Sequence, residues 1–203
     1  MTVRVLPYGE SALLVEPDDA EGVLALAGAA RQLAGVTEVV PAARTVLLVL
    51  DPGVDVGEVR RRLLELVVGP AAHADRAEVV LDVVYDGPDL ATTAAEVGLD
   101  PDGLVRAHIS AAHTVAFCGF VPGFAYCRGL PERVQVPRLR EPRTRVPAGS
   151  VAIAGEFSGV YPRASPGGWR LLGRTDAVLW DLGREPPALL SPGTPVRFRA
   201  VDR

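Results

Sequence analysis

Four sets of residues in the second half of the chain have types and spacings suited to chemistry. The first is "GFVPGFAY", residues 119–126, which gathers Phe120, Phe124 and Tyr126 around Gly119, Pro122 and Gly123. Proline and glycine inside an apolar run argue against a plain helix or central strand, so the backbone must bend and carry the rings as a wall. Such a wall suits a ligand pocket, and equally a hydrophobic corner of a barrel. The second set is "VPRLREPRTRVPAGS", which repeats Pro-Arg at Pro137-Arg138 and Pro142-Arg143. Each proline stiffens its turn, so the guanidinium forks of Arg138 and Arg143 project from a fixed backbone, a geometry that matches carboxylate or phosphate. A solvated basic loop is the plainer alternative.

The third set is "YPRASPGGWRLLGRT", where Gly167 and Gly168 precede Trp169 in a tight turn, Ser165 and Thr175 offer hydroxyls, and Arg174 follows Gly173 at an expected strand end. It reads as a second wall or as a cap on the core. The fourth is the histidines. His108 and His113 are five residues apart and do not share a helical face, so His108 reads as a structural residue with a general-base role as the rival, and His73 carries no specific signal. Nucleophile-elbow, Walker and dinucleotide-binding patterns are absent from the sequence. Cys118 and Cys127, spaced C-x8-C, fit neither a zinc site nor a redox pair, and the three histidines do not complete a metal set, so no metal is expected. Both cysteines read as small buried hydrophobes.

The elements that must position these groups fall into two parts. "RVLPYGESALLVEP" supplies a bent start and an apolar run, and "DDAEGVLALAGAARQL" a helix with Asp18 and Asp19 as cap candidates. "VTEVVPAARTVLLVLDPG" holds two strands, of which Val46 to Leu50 looks buried on both faces, and "DVGEVRRRLLELV" is a second helix. A small antiparallel sheet covered by helices on one face, as in a split βαβ unit, satisfies this order. "VVGPAAHADRAEV" has neither period and reads as a linker, which sets the domains at 1–77 and 78–203. Two short helices follow in "DLATTAAEVGLDPDGLVRAHISA", with Asp89 and Asp100 or Asp102 as caps. Beyond residue 114 the short apolar runs "TVAFCGF", "RVQVP", "SVAIAG", "GVYP", "GWRLLGRT", "AVLWDL" and "PVRFRAV", punctuated by Gly and Pro, indicate a barrel or sandwich.

The chain has 203 residues, 48% hydrophobic and 23% charged, with a net charge of -4. That charge lacks the basic footprint of a nucleic-acid binder. No apolar run approaches the roughly 18 residues of a membrane helix, and "MTVRVLPYGESALLVE" does not read as a secretion signal, so a cytoplasmic location is expected.

The ordered set "GFVPGFAY", "VPRLREPRTRVPAGSVAIAG", "GVYPRASPGGW" and "LLGRT" resembles the allophanate hydrolase subunit 1 family, which includes the B subunit of 5-oxoprolinase, the matching carboxyltransferase part of urea carboxylase and a Kip-type kinase inhibitor. The resemblance covers about residues 79 to 200 and implies an α+β chain: a small α/β N-terminal domain followed by a cyclophilin-like β-barrel. It implies membership of an ATP-dependent 5-oxoprolinase complex that converts 5-oxo-L-proline to L-glutamate, with the chain inactive alone, ATP used by the complex and no biotin in this chain. It also implies two partners, a C-type subunit related to allophanate hydrolase subunit 2 and an A-type subunit. Two rivals are a carboxyltransferase component of urea or amide metabolism and a regulatory inhibitor of a histidine kinase. Carried over residue by residue, His108, Arg138 and Arg143 are the catalytic candidates, and Phe120, Phe124, Tyr126, Ser150, Tyr161, Trp169, Arg174 and Thr175 the substrate-binding ones. The chain departs from many relatives in "GEFSG", where Phe157 replaces Gln and Ser158 replaces Thr.

Overall fold

The computed structural model describes residues 3–66 and 76–202. His73 and most of the expected linker lie outside the described residues. The chain divides into two compact units, Met1–Asp75 and Arg76–Arg203.

In the first unit, β1 (Val3–Pro7) and β2 (Ala12–Pro17) form a hairpin, followed by α1 (Gly22–Ala30), β3 (Val36–Pro41), β4 (Val46–Leu50) and α2 (Val56–Glu65). The sheet order is β1-β2-β4-β3 with every neighbouring pair antiparallel. β2 and β3 therefore run the same way with β4 slotted between them, the split arrangement the element order suggested. Asp19 accepts from the Gly22 amide at 2.6 Å ahead of α1, and Asp55 caps α2 through the amides of Gly57 and Glu58. Both helices share one core with alternate residues of β2 and β4, including Leu13, Val15, Leu26, Leu48, Val59 and Leu63. Val46 to Leu50 differs from expectation. Its burial alternates, with Leu47 and Val49 only half-buried, because the helices cover one face of this antiparallel sheet.

The second unit carries β5 (Val79–Val83), α3 (Leu90–Glu96), α4 (Pro101–Ile109), β6 (His113–Cys118), β7 (Ala125–Arg128), β8 (Arg143–Val146), β9 (Ser150–Ala154), β10 (Phe157–Val160), β11 (Ser165–Gly167), β12 (Arg170–Arg174) and β13 (Pro195–Ala200). Seven strands join in the order β12-β9-β10-β7-β6-β13-β5. Past the end of β5, Val84 pairs with Arg174 of β12 and closes the sheet into a barrel. The β13–β5 pair is parallel and is crossed by an ion pair in which both Asp82 oxygens accept from Arg199. β8 and β11 form a separate two-stranded ribbon.

Two segments expected as strands are not. "RVQVP" forms part of a 3-10 turn, Glu132–Val134, and a single bridge from Val136 to Gly155, while "AVLWDL" contributes one bridge between Trp180 and Ala188. Prolines at 131 and 137, and at 186 and 187, remove the amides a longer ladder would need.

β9 is buried along its whole length. Val151 packs in the core with Leu81, Val115 and Phe198, and Ile153 in the core with Leu104 of α4 and Leu172. Ala152 and Ala154 point to the other face, where Phe124, Tyr161, Trp169 and Leu171 gather.

Asp100 caps α4 through the Gly103 amide at 2.6 Å. Asp89 occupies the cap position of α3 but makes no side-chain cap bond. Its carboxylate is taken up by Arg143 and by the Leu171 amide.

Candidate functional site

The bend in "GFVPGFAY" consists of two consecutive turns set into the β6–β7 hairpin. Val121 N donates to Gly119 O at 2.8 Å around Phe120, whose φ is +68°, which is the rarer and strained form of γ-turn. Phe124 N then donates to Val121 O at 3.0 Å across Pro122 and Gly123, and Gly123 has φ +84°, as a type II turn with Pro first and Gly second demands. Together these turns hold Phe120 out, 58% exposed, and turn Phe124 in, 1% exposed.

Around this bend lies a pocket of about 230 Å³. Phe120, Phe124, Tyr126, Tyr161 and Trp169 form its aromatic wall, and Arg138 with Leu139 and Pro142 forms its basic side. The rings meet edge to face. Phe124 lies 5.3 Å from Tyr161 and 5.4 Å from Trp169, and Tyr126 lies 5.5 Å from Trp169, all in the favourable T-shaped range. The basic loop is tied to the opposite wall where Leu139 N donates to Gly168 O at 2.7 Å.

Arg138 is exposed and makes no hydrogen bond or ion pair among the described residues. Its charge reaches both tyrosine hydroxyls of the pocket. Burial pushes the Tyr126 phenol up, and the Arg138 charge pulls it partly back. Burial likewise raises Tyr161, against a hydrogen bond from the Trp169 backbone amide and the charges of Arg138 and Arg143. Both phenols therefore stay protonated at neutral pH and can donate, beside a cation with free donors of its own. An apolar slot with donors on one side suits a small ring bearing an anionic group.

The structure thus brings Phe120, Phe124, Tyr126, Arg138, Tyr161 and Trp169 together and places the other candidates elsewhere. Arg143 is adjacent to the pocket but engaged by Asp89 at 2.7 Å. Ser150 is buried with its hydroxyl donating to Pro147 O, and Thr175 is buried with its hydroxyl accepting from the Ala177 amide. Arg174 pairs with Asp86 at 3.1 Å by the barrel seam.

His108 is fully buried. Tyr85 contacts its Nδ1 at 2.7 Å, Ser158 its Nε2 at 3.1 Å, and Phe198 lies 4.5 Å from its ring. Burial holds its pKa well below the ordinary histidine value, with the nearby His113 adding to the effect. It is a neutral structural group away from the pocket. Ser158, one of the two departures in "GEFSG", completes this buried network. Phe157, the other, lies edge-on to Tyr126 at 5.7 Å and to Phe117 at 5.5 Å, behind the pocket wall. Phe117 stacks on Tyr126 at 4.2 Å and is only half-buried, not turned into the core.

The cysteines divide. Cys127 is buried, as its sequence context suggested, with its thiol pushed up to about 12 by burial. Cys118 is exposed and lines an open apolar groove with Phe120 and Trp180. Its Sγ turns toward Leu190 O at 3.7 Å, and partial burial pushes the thiol up to about 11. Among the described residues no cluster of His, Cys, Asp and Glu could hold a metal, and no helix is long and apolar enough to cross a membrane.

The seven-stranded barrel faced by two helices is a fold shared with solved structures. The crystal structure of TTHA0988 matches the whole chain at a TM-score of 0.78 and 36% identity, with the match covering 40% of that protein. The Kluyveromyces lactis urea carboxylase shares the fold at a TM-score of 0.69 and 20% identity, over 98% of this chain and 22% of that one.

The chain belongs to the family described as carboxyltransferase domain, subdomain C and D, whose model matches residues 3–190. It is 50% identical over 123 residues to the 5-oxoprolinase B subunit of Escherichia coli O157:H7, a match spanning 59% of this chain and 56% of that protein. It is 34% identical to the 5-oxoprolinase B subunit of Haemophilus influenzae over 97% of both chains.

Proposed function

We propose that this chain is the B subunit of an ATP-dependent 5-oxoprolinase complex that converts 5-oxo-L-proline to L-glutamate in the cytoplasm, together with partners of the A and C types. The observation that carries this reading is the alignment with the Haemophilus influenzae B subunit, 34% identical and covering 97% of each chain. The pocket chemistry supports it. A five-membered lactam ring with one carboxylate matches a small aromatic slot with Arg138 at its side. In this reading Arg138 and the Tyr126 hydroxyl receive the carboxylate, and Phe124 and Trp169 hold the ring.

An unstrained lactam is a poor electrophile; transfer of the terminal phosphoryl group of ATP to its carbonyl oxygen, with ADP leaving, would activate the carbonyl carbon for addition of water. The ring nitrogen then leaves with a proton, and hydrolysis of the resulting acyl phosphate releases L-glutamate and phosphate. The sequence carries no Walker or dinucleotide-binding pattern with which to hold a nucleotide. The reading therefore assigns ATP to the other subunits and gives this chain the tasks of binding and orienting the ring.

The test is co-expression with A- and C-type partners and an assay of ATP-dependent glutamate release. Activity that requires this chain, with none from the chain alone, is the expected result, and undiminished activity in its absence overturns the reading. The family description favours one alternative, carboxyl transfer to urea or a related amide with a biotin carboxylase and carrier. Incorporation of labelled bicarbonate without glutamate release would select it.

A further inference from the structure

Asp89 lies outside the four chemistry-bearing sets of the sequence, where its place before a helical run marks it only as a cap. We propose that Asp89 is the positioning residue of the aromatic pocket, fastening its basic side and its Trp169 wall to one carboxylate; its role in catalysis rests on the reading of that pocket as the substrate site.

The two carboxylate oxygens serve different segments. Oδ1 accepts from Arg143 Nη2 at 2.7 Å, and Oδ2 accepts from the Leu171 backbone amide at 2.7 Å. The Asp89 amide donates back to Leu171 O at 3.1 Å, so this residue grips β12 through both backbone and side chain. Each attachment is close to a pocket wall in sequence. Arg143 follows Pro142, which lines the pocket, and stands opposite Gly167 in the β8–β11 ribbon. Leu171 is two residues past Trp169.

The Asp89 side chain is only 10% exposed, so water does not readily replace either contact. A capping role does not account for the arrangement, because the carboxylate makes no bond to the first turn of α3. The ion pair also sorts the two arginines. Arg143 is occupied by Asp89, while Arg138 remains open to a ligand. Loss of the Asp89 charge would free Arg143 beside the Tyr161 hydroxyl and loosen the Gly167–Trp169 turn.

Asp89→Asn keeps an oxygen for the Leu171 amide and removes the charge that holds Arg143. In the reconstituted complex it is expected to raise KM for 5-oxo-L-proline about tenfold with kcat within about twofold of wild type. A ligand-free measurement accompanies it. In a Trp180→Phe background Trp169 is the sole tryptophan, and Asp89→Asn should raise its quenching by acrylamide about threefold as the wall loosens. In the companion Trp169→Phe background, Trp180 quenching should not change.

A merely structural Asp89 would lower the melting temperature and the active fraction while leaving KM and Trp169 quenching at wild-type values, and that result overturns the proposal. If Asp89→Asn does not fold, Arg143→Gln breaks the same ion pair from the other side and is read by the same two measurements, with the same expected and overturning results. If the wild-type complex releases no glutamate, the substrate reading falls, and Trp169 quenching alone decides whether Asp89 positions the wall.

Discussion

Val84 and Arg174 exchange both of their backbone hydrogen bonds, 2.9 Å in each direction, and that pair joins the two edge strands of the barrel. The approach is close because Gly173 carries no side chain. A Cβ at Gly173 would lie 2.3 Å from Val84 O, a backbone atom that cannot turn aside. Gly173→Ala is therefore expected to destabilise the protein by about 1–3 kcal/mol, the usual cost of overpacking. Urea unfolding checks this, and an unchanged midpoint would mean that the seam yields.

In the proposed reading Arg138 serves binding and has little role in stability. It is exposed and free of protein partners among the described residues, so Arg138→Ala should leave the urea midpoint unchanged. Loss of a charge-assisted contact of about 1.5–3 kcal/mol should raise KM for a carboxylate substrate roughly 10- to 100-fold. Steady-state kinetics of the complex measure it. An unaltered KM would remove Arg138 from the site.

The buried histidines set the response to acid. Burial lowers the pKa of His108 and of His113, so both are neutral in the folded chain, while the unfolded chain takes up protons near the ordinary histidine value of 6.5. Proton uptake thus favours the unfolded state. The stability from these groups is complete above about pH 6.5 and is lost as pH falls from there toward their depressed folded values, at up to about 1.4 kcal/mol per pH unit for each histidine. Glu58 and Asp82, with lowered pKa, add their own loss only below their ordinary values of 4.5 and 3.8. Urea midpoints between about pH 7.5 and 5 isolate the histidines, and a flat profile would contradict their neutral burial.

Phe120 exchanges backbone comfort for placement. Its φ of +68° strains a residue with a side chain, and its ring is 58% exposed. Phe120→Gly should leave stability unchanged or raise it by about 1 kcal/mol, because glycine adopts this conformation without cost. The same change removes one side of the pocket and should raise KM. Chemical unfolding and kinetics on one variant test both effects, and a marked loss of stability would show that the ring's packing outweighs the strain.

Much of the barrel was legible because its strands are short apolar runs bounded by Gly or Pro, as in β9, which lies between Gly149 and Gly155, and β13, which starts at Pro195. The pocket was legible for a related reason. Turn residues interleaved with aromatics mark both "VPGFAY" and "SPGGW", and the two segments meet. Asp89 was not, because an Asp before a helical run has the same pattern whether its carboxylate caps the helix or reaches across to β12. His108 kept a catalytic rival because its spacing does not reveal Ser158, fifty residues on, as its partner. Cys118 and Cys127 flank one hairpin with the same residue type, and only the turn between them decides that one is exposed and the other buried.

The parallel β13–β5 pair bears on how the protein is made. Among the described residues β5 is the first strand of its unit in the chain, yet β13, the last, is its only neighbour in the sheet apart from the seam at Val84. During translation the run "VVLDVV" therefore waits with an unpaired edge, the condition in which apolar strands seek foreign partners. Asp82 breaks that run with an exposed charge, the kind of residue that disfavours pairing with a foreign edge. When Arg199 emerges with the final strand, it comes to lie directly opposite the same carboxylate and pairs with it.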